Sequence, residues 1–325
     1  MAVTIKDVAA FAGVNPSTVS RVIKDSPSIS DKTKIKVRKA METLGYTQNA
    51  AAKILASGKS GAIGVIFPPI ENKQSRPFFM KILSSINEEA RNNDITVAIA
   101  TGHSIEELEK QVRLMYSEKR VDGFIVLYAG QSDPVRQYLI DENIPFVLVG
   151  TPIEMQNEIT YVDNDNKLLG KEAVTYLSDK GHKHISFVTD TEEGVVFEER
   201  YMGFHEELVK RGLVGKLLHF DENNFKVDGE SAVIVMDDPL ALMVIQNINK
   251  QGLNVPEDIS VLSFNNSVFA SLIHPYITSF DINVARLGEV AVEKLSELIN
   301  SDEKNKIFSE KIIVPFYLKE RESVK

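Results

Sequence analysis

Apolar residues recur along the chain with two periods, and the change from one to the other divides it. Over the first sixty residues the period is helical. Thr4 and Asp7 stand as an N-cap and an acid three residues on, Val8, Ala9 and Phe11 follow at helical spacing, and Gly13 suits a left-handed stop. Asn15 and Pro16 predict the start of a second helix, with Val19, Val22 and Ile23 on its apolar face. Ser30 opens a third, with Val37, Ala40, Met41 and Leu44 inward and Gly45 closing it. Two short helices joined by Ala12-Gly13-Val14, with a third beside them, predict an all-α helix-turn-helix unit. Pro16, Ser17, Ser20 and Arg21 are left facing outward on the second helix. Small hydroxyls suit phosphate oxygens, and a guanidinium fork suits the O6/N7 edge of guanine.

After Gly61 short β-branched runs alternate with amphipathic helices. Strands are predicted at Ala62–Phe67, Thr96–Ala100, Gly123–Leu127 and Phe146–Val149, and again at Ile185–Val188, Leu217–Phe220, Ala232–Met236 and Ser260–Phe264. Helical stripes such as Leu108/Val112/Met115 and Leu287/Ala291/Leu295/Leu298 lie between them. Two such series predict an α/β body of two doubly wound parallel-sheet lobes, with ligands at the strand carboxyl ends in the crevice between them. Only residues 221–231 separate two of the second-series strands, about a helix short of what a parallel crossover needs. The pocket wall is expected near Phe220 and Phe225.

Charge sharpens the division. The 325 residues carry a net charge of −9, yet residues 1–60 hold ten Lys/Arg against four acids, so the remainder is at −15. A basic head on an acidic body predicts a polyanion partner for the head alone. The chain has no cysteine, which excludes disulfides, thiolate metal sites and cysteine nucleophiles. No apolar run approaches a membrane span, and the start, Met1-Ala2-Val3-Thr4-Ile5-Lys6-Asp7, lacks signal-peptide character, so a cytoplasmic location is expected.

The segments Val3–Ala9, Gly13–Ile23, Leu44–Asn49 and Ala52–Ala56 resemble the headpiece and hinge helix of the LacI/GalR family of repressors. The resemblance implies that Pro16, Ser17 and Arg21 face base edges, that Asn15, Thr18, Tyr46 and Asn49 hold phosphates, and that Leu55 wedges into the minor groove. Thr4, Ser20, Ala52 and Lys53 complete the DNA-facing set. Gln48 stands where the family usually has proline, and Lys53 where arginine is usual. The hinge is too short to be helical alone and is expected to fold against DNA and its symmetry mate. The resemblance continues through Arg76–Phe79, Arg120–Gly123, Tyr161–Asn164, Lys180–Ile185, Glu199–Phe204 and Gly252–Val261 as a periplasmic-binding-protein-like body. It implies three parts: residues 1–46 as the DNA-binding domain, 47–60 as hinge helix and linker, and 61–325 as the effector-binding and dimerisation domain. Its lobes are expected at 61–160 with 283–310, and at 161–282 with 311–325.

Enzymatic signatures fail on spacing. Gly58-Lys59-Ser60 lacks the first glycine of a phosphate loop, and His205-Glu206 lacks the second histidine of a zincin. Asp163-Asn164-Asp165 lacks a calcium loop's glycine, and His182 and His184 read as surface histidines of a turn. No catalytic residue, metal or cofactor is expected. The resemblance implies instead a small sugar effector. Arg200 matches the family's effector arginine, and Asn265 stands at the usual sugar-binding aspartate, where an amide both donates and accepts. Asp237, Asp238, Phe78, Phe79 and Tyr128 are the further candidates. The Asn265-Asn266 pair and the headpiece-to-hinge sequence are most similar to the family's maltose-operon branch, implying maltose or a maltodextrin. The expected partners are palindromic operator DNA, that sugar and a second copy of the chain, because no heptads follow Ile312–Phe316. Two alternatives stand: a global carbon-catabolite regulator with a phosphoprotein corepressor, and a sugar-binding protein of transport type.

Overall fold

The computed structural model describes residues 3–23, 25–46, 58–69, 77–130, 133–301 and 309–325. The expected hinge, with Asn49, Ala52, Lys53 and Leu55, lies outside the described residues, as does Arg76. The chain divides into two compact units, residues 1–60 and 61–325.

The first unit holds three helices, α1 (Ile5–Ala12), α2 (Pro16–Ile23) and α3 (Asp31–Leu44). Thr4 and Asp7 form a reciprocal capping box at α1, and Gly13 and Gly45 close α1 and α3 in the left-handed conformation. Ser30 caps α3 through the Thr33 amide. Val8, Ala9, Ala12, Val19, Val22, Val37 and Ala40 make the core. Phe11 does not join it. Its ring is 59% exposed, because Val8, Ala9 and Ala12 already define the buried stripe of so short a helix.

In the second unit, strands β1 (Ala62–Ile66), β2 (Thr96–Ala100), β3 (Phe124–Val126), β4 (Phe146–Val149), β5 (Tyr161–Asp163) and β11 (Lys311–Ile313) form one sheet. Its order is β11-β5-β4-β3-β1-β2, and it is parallel throughout. The second sheet runs β12-β10-β9-β8-β6-β7, from β6 (Ile185–Thr189), β7 (Leu217–His219), β8 (Ala232–Val235), β9 (Ser260–Phe264), β10 (Thr278–Asp281) and β12 (Tyr317–Lys319). Only its β10–β12 pair is antiparallel. The helices are α4 (Pro77–Asn92), α5 (Ile105–Ser117), α6 (Pro134–Asp141), α7 (Asn166–Asp179), α8 (Val195–Arg211), α9 (Asp238–Lys250) and α10 (Val284–Asn300).

These are the two predicted lobes, with shifted seams. Tyr161–Asp163 and Lys311–Ile313 pair with each other in the first sheet, so both segments belong to the first lobe rather than the second. The chain passes between lobes after Asp163, after Asp281 and after Ile313. Between β7 and β8 there is indeed no helix. β7 lies at the sheet edge beside β6, and residues 221–231 carry the chain across to β8 in turns. Phe220 and Phe225, buried with ring centroids 5.2 Å apart, pack into the lobe's core rather than into a ligand wall.

Gly170 on α7 and Gly203 on α8 allow the two helices to touch backbone to backbone. A Cβ at Gly203 would collide with the Lys167 carbonyl, and one at Gly170 with the carbonyl of Arg200. This contact fixes the depth at which α8 presents Arg200.

Candidate functional site

In the head, α2 offers an exposed polar face. Asn15, Pro16, Ser17 and Arg21 are exposed, Thr18 and Ser20 partly so, while Val19 and Val22 are buried. The helix thus spends its apolar stripe on α1 and α3 and keeps its hydroxyls and guanidinium for a partner. Thr4 is committed differently: its hydroxyl donates to Asp7 at 2.7 Å within the α1 cap. Tyr46 packs partly buried against the head core.

In the body, a cavity of about 270 Å³ opens between the lobes at the strand carboxyl ends. The first lobe contributes residues just past β3, β4 and β5, including Tyr128, Thr151 and Asn164, and the second those just past β6, β8 and β9, including Thr191, Asp237 and Asn265. Phe78, Phe79 and Phe197 supply aromatic walls, with the Phe78 and Phe79 rings edge to face at 5.5 Å. Of the sequence-predicted candidates, Phe78, Phe79, Tyr128, Arg200, Asp237 and Asn265 all line this cavity.

Asp238 does not. It is fully buried, accepting from the Ser263 hydroxyl at 2.5 Å, the Ser279 hydroxyl at 2.7 Å and the Ser267 amide at 2.5 Å. Asp237 is the N-cap of α9 and accepts the Leu240 amide, so its neighbour, one position into the helix, points back into the lobe.

Arg200 is 3% exposed. Its Nε donates to Asn166 Oδ1 at 3.0 Å, its Nη1 donates to the Met236 carbonyl at 3.2 Å, and the guanidinium lies 4.5 Å from the centroid of the Phe264 ring. Burial lowers its pKa to about 10, against the opposing pull of Asp163, Asp237 and Asp238, so it stays charged at neutral pH. Asn166 in turn donates to Asp163, whose carboxylate also accepts from Thr151 and the Asn164 amide. Burial holds the Asp163 carboxyl above its usual range, and raises the neighbouring Glu199 to about 7, first by desolvation and then through Asp163. The result is a half-dry, hydrogen-bond-rich chamber with aromatic faces, suited to a polyhydroxylated ring.

The three lobe crossings meet here as well. The buried Asn164 side-chain amide donates to the Ile282 carbonyl at 3.0 Å and the Val314 carbonyl at 2.8 Å, joining one crossing to the other two. Asn265 and Asn266 both have positive φ, 95° and 44°, a turn that asparagine tolerates better than most residues and that swings both side chains off the end of β9.

Sequence reasoning missed Asn166, Asp163, Thr151 and Phe197 as lining residues. Asp163 had a signal in the matched Tyr161–Asn164 segment; the others become neighbours only when distant strand ends converge. Among the described residues no group of three His, Asp or Glu could hold a metal. His182 is buried rather than a surface residue, and its pKa is lowered by that burial; His184 is exposed. No helix among the described residues is long and apolar enough to cross a membrane.

Residues 4–49 match the bacterial regulatory proteins of the lacI family, and residues 60–224 the periplasmic binding proteins and sugar-binding domain of that family. Residues 158–324 match a periplasmic binding protein-like domain. The HTH-type transcriptional regulator MalR of Streptococcus pneumoniae is 36% identical, over 94% of this chain and 95% of its own. Catabolite control protein A of Priestia megaterium is 30% identical over the whole of both chains. A solved structure of the transcriptional regulator CelR in complex with cellobiose is similar at 25% identity and a TM-score of 0.70, covering 99% of each chain. These relatives are transcriptional regulators and not enzymes. With an exposed helix-turn-helix face, a ligand-sized interlobe cavity and matches spanning nearly every residue, the chain belongs to the LacI family, as a DNA-binding transcriptional repressor with a sugar-binding body.

Proposed function

We propose that this repressor binds palindromic operators as a dimer and releases them when maltose or a maltodextrin enters the interlobe cavity. In the head, Pro16, Ser17 and Arg21 read base edges, while Asn15, Thr18 and Ser20 hold the backbone. The observation that carries the sugar reading is the buried Arg200 guanidinium on an aromatic-walled cavity that Asp237 and Asn265 also line. That donor and acceptor set matches vicinal sugar hydroxyls, and the aromatic rings match a sugar's apolar face. The shared name of the three relatives at 34–36% identity, MalR, favours maltose, and the cellobiose bound by CelR supports a disaccharide in this type of crevice.

Calorimetric titration tests the reading. Wild type should bind maltose, and Arg200→Ala should lose at least tenfold in affinity while still binding operator. A variant that binds maltose as wild type does would remove Arg200 from the site.

A second reading has its own support in the full-length similarity to catabolite control protein A. It makes the chain a global carbon-catabolite regulator. A phosphorylated carrier protein would then raise operator affinity, where the first reading has maltose lowering it.

A further inference from the structure

The turn that brings Asn265 to the cavity has a backbone that few residues adopt freely. Asn265 and Asn266 directly follow β9, with φ of 95° and 44°. Two consecutive non-glycine residues at positive φ persist only where the surroundings over-determine them. The two asparagines are held differently. The Asn265 amide donates to the Phe280 carbonyl at 2.8 Å, but among the described residues no hydrogen bond holds its side chain, and the residue lines the cavity. Asn266 is bound through every polar group it has to offer the turn. Its amide donates to Ser279 Oγ at 3.0 Å, its Nδ2 donates to Asp281 Oδ2 at 2.8 Å, and its Oδ1 accepts from Arg321 Nη2 at 2.5 Å.

Arg321 and Asp281 are themselves fixed. Arg321 Nη1 donates to the Ile277 carbonyl at 2.8 Å and its amide donates to Thr278 Oγ1 at 2.9 Å, so the guanidinium fork spans from the entry of β10 to the turn after β9. Asp281 is buried and accepts, besides Asn266, the Tyr317 hydroxyl at 2.9 Å and the Asn283 amide at 2.8 Å. Burial opposes its charge, yet Asn266, the Asn283 amide and Tyr317 hold the carboxyl below its usual range. Tyr317 faces Asp281 across the β10–β12 pair, and Arg321 stands 55 residues from Asn266 in sequence. A turn needed only to end a strand is met by glycine without strain. Committing a guanidinium fork and a buried carboxylate to two strained asparagines makes sense where one side chain must be presented in a fixed place.

We infer that Arg321 and Asp281, acting through Asn266, are positioning residues of the effector site, clamping the turn so that the free Asn265 carboxamide meets the ligand in one orientation. The segment after β12 is thereby part of the ligand-sensing machinery although Arg321 does not line the cavity. The effector half of this inference rests on the saccharide reading of the cavity; the clamp itself does not.

The test combines amide hydrogen exchange and calorimetric titration with maltose and cellobiose, on the full chain, for wild type, Asn266→Gly, Arg321→Met and Arg321→Lys. Glycine keeps the left-handed backbone at 266 without the side chain, and lysine keeps the charge and one possible donor. Asn266→Gly and Arg321→Met should speed exchange at the amides of residues 265 and 266 while β9 and β10 stay protected. Both should weaken binding of whichever sugar wild type binds by about fivefold or more, the scale of one lost hydrogen bond. Arg321→Lys should fall between wild type and Arg321→Met on both measures. Unchanged exchange at residues 265 and 266 in Arg321→Met overturns the clamp, as does protection lost throughout β9 and β10, which would make Arg321 a support of the sheet. Faster exchange with unchanged sugar affinity overturns the positioning role. Wild type binding neither sugar overturns the saccharide reading and the effector half with it, and the exchange rates then decide the clamp by themselves.

Discussion

Arg200 shows what it takes to store a charge in a crevice. A guanidinium 3% exposed has lost most of its hydration, and burial draws its pKa down to about 10. Asn166, the Met236 carbonyl, the Phe264 face and the carboxylates of Asp163 and Asp237 keep it charged and aimed. Asp163, which favours the charge on Arg200, disfavours the charge on Glu199, which burial first and then Asp163 raise to about 7 from an ordinary 4.5. Between those pH values the folded chain holds the Glu199 proton more firmly than the unfolded chain does, so stability falls as pH rises through the window. Glu199→Gln should therefore stabilise the protein at pH 8, by about 1 kcal/mol once solvent screening of a half-exposed group is allowed for. Urea unfolding at pH 8 and pH 4 checks this: the gain should vanish at pH 4, and a gain independent of pH would assign it to something other than ionisation. On the head, Arg21 is exposed beside two buried valines. Arg21→Ala should cost about 1–3 kcal/mol on operator and less on scrambled DNA at matched salt. Equal losses would make Arg21 a phosphate contact only.

At the scale of elements, the head was legible in the sequence because its signals are local. Thr4, Asp7, Gly13, Ser30 and Gly45 act within one turn of where they stand, and each does what its type predicts. The eight strands read from apolar runs are present, with ends moved by a residue or so. The strands left unassigned, β5, β10, β11 and β12, are no shorter than β3, but each carries a charged residue at an end, Asp163, Asp281, Lys311 and Lys319, that interrupts the apolar run. Their assignment to one lobe or the other comes from pairing across 150 residues of sequence, as in Tyr161 with Lys311. The site follows the same division. Phe78, Tyr128, Arg200 and Asn265 were recognisable one by one, whereas the Asp163–Asn166–Arg200 chain of hydrogen bonds exists only once α7 and α8 are in contact. Gly203 makes that contact possible, since any Cβ there meets the Lys167 carbonyl. Gly203→Ala should destabilise the body by about 1–3 kcal/mol or more, through overpacking that backbone cannot relieve. Thermal denaturation should show a clear drop in Tm, and an unchanged Tm would mean the helices can separate without loss.

At the scale of the molecule, the fold separates where DNA is read from where the sugar is sensed, so control requires the sugar to prefer one arrangement of the lobes. The cavity is walled by strand ends from both lobes, and Asn164 ties the three crossings at its floor, so a ligand filling it acts directly on the joint. Coupling between distant sites typically amounts to about 1–3 kcal/mol, or roughly five- to 150-fold in affinity. The most direct measurement of the central claim is operator affinity of the full chain, followed by fluorescence anisotropy, with and without saturating maltose. The account predicts that maltose weakens operator binding by a factor in that range while leaving binding to scrambled DNA unchanged. Operator affinity indifferent to maltose, or raised by it, would contradict the account.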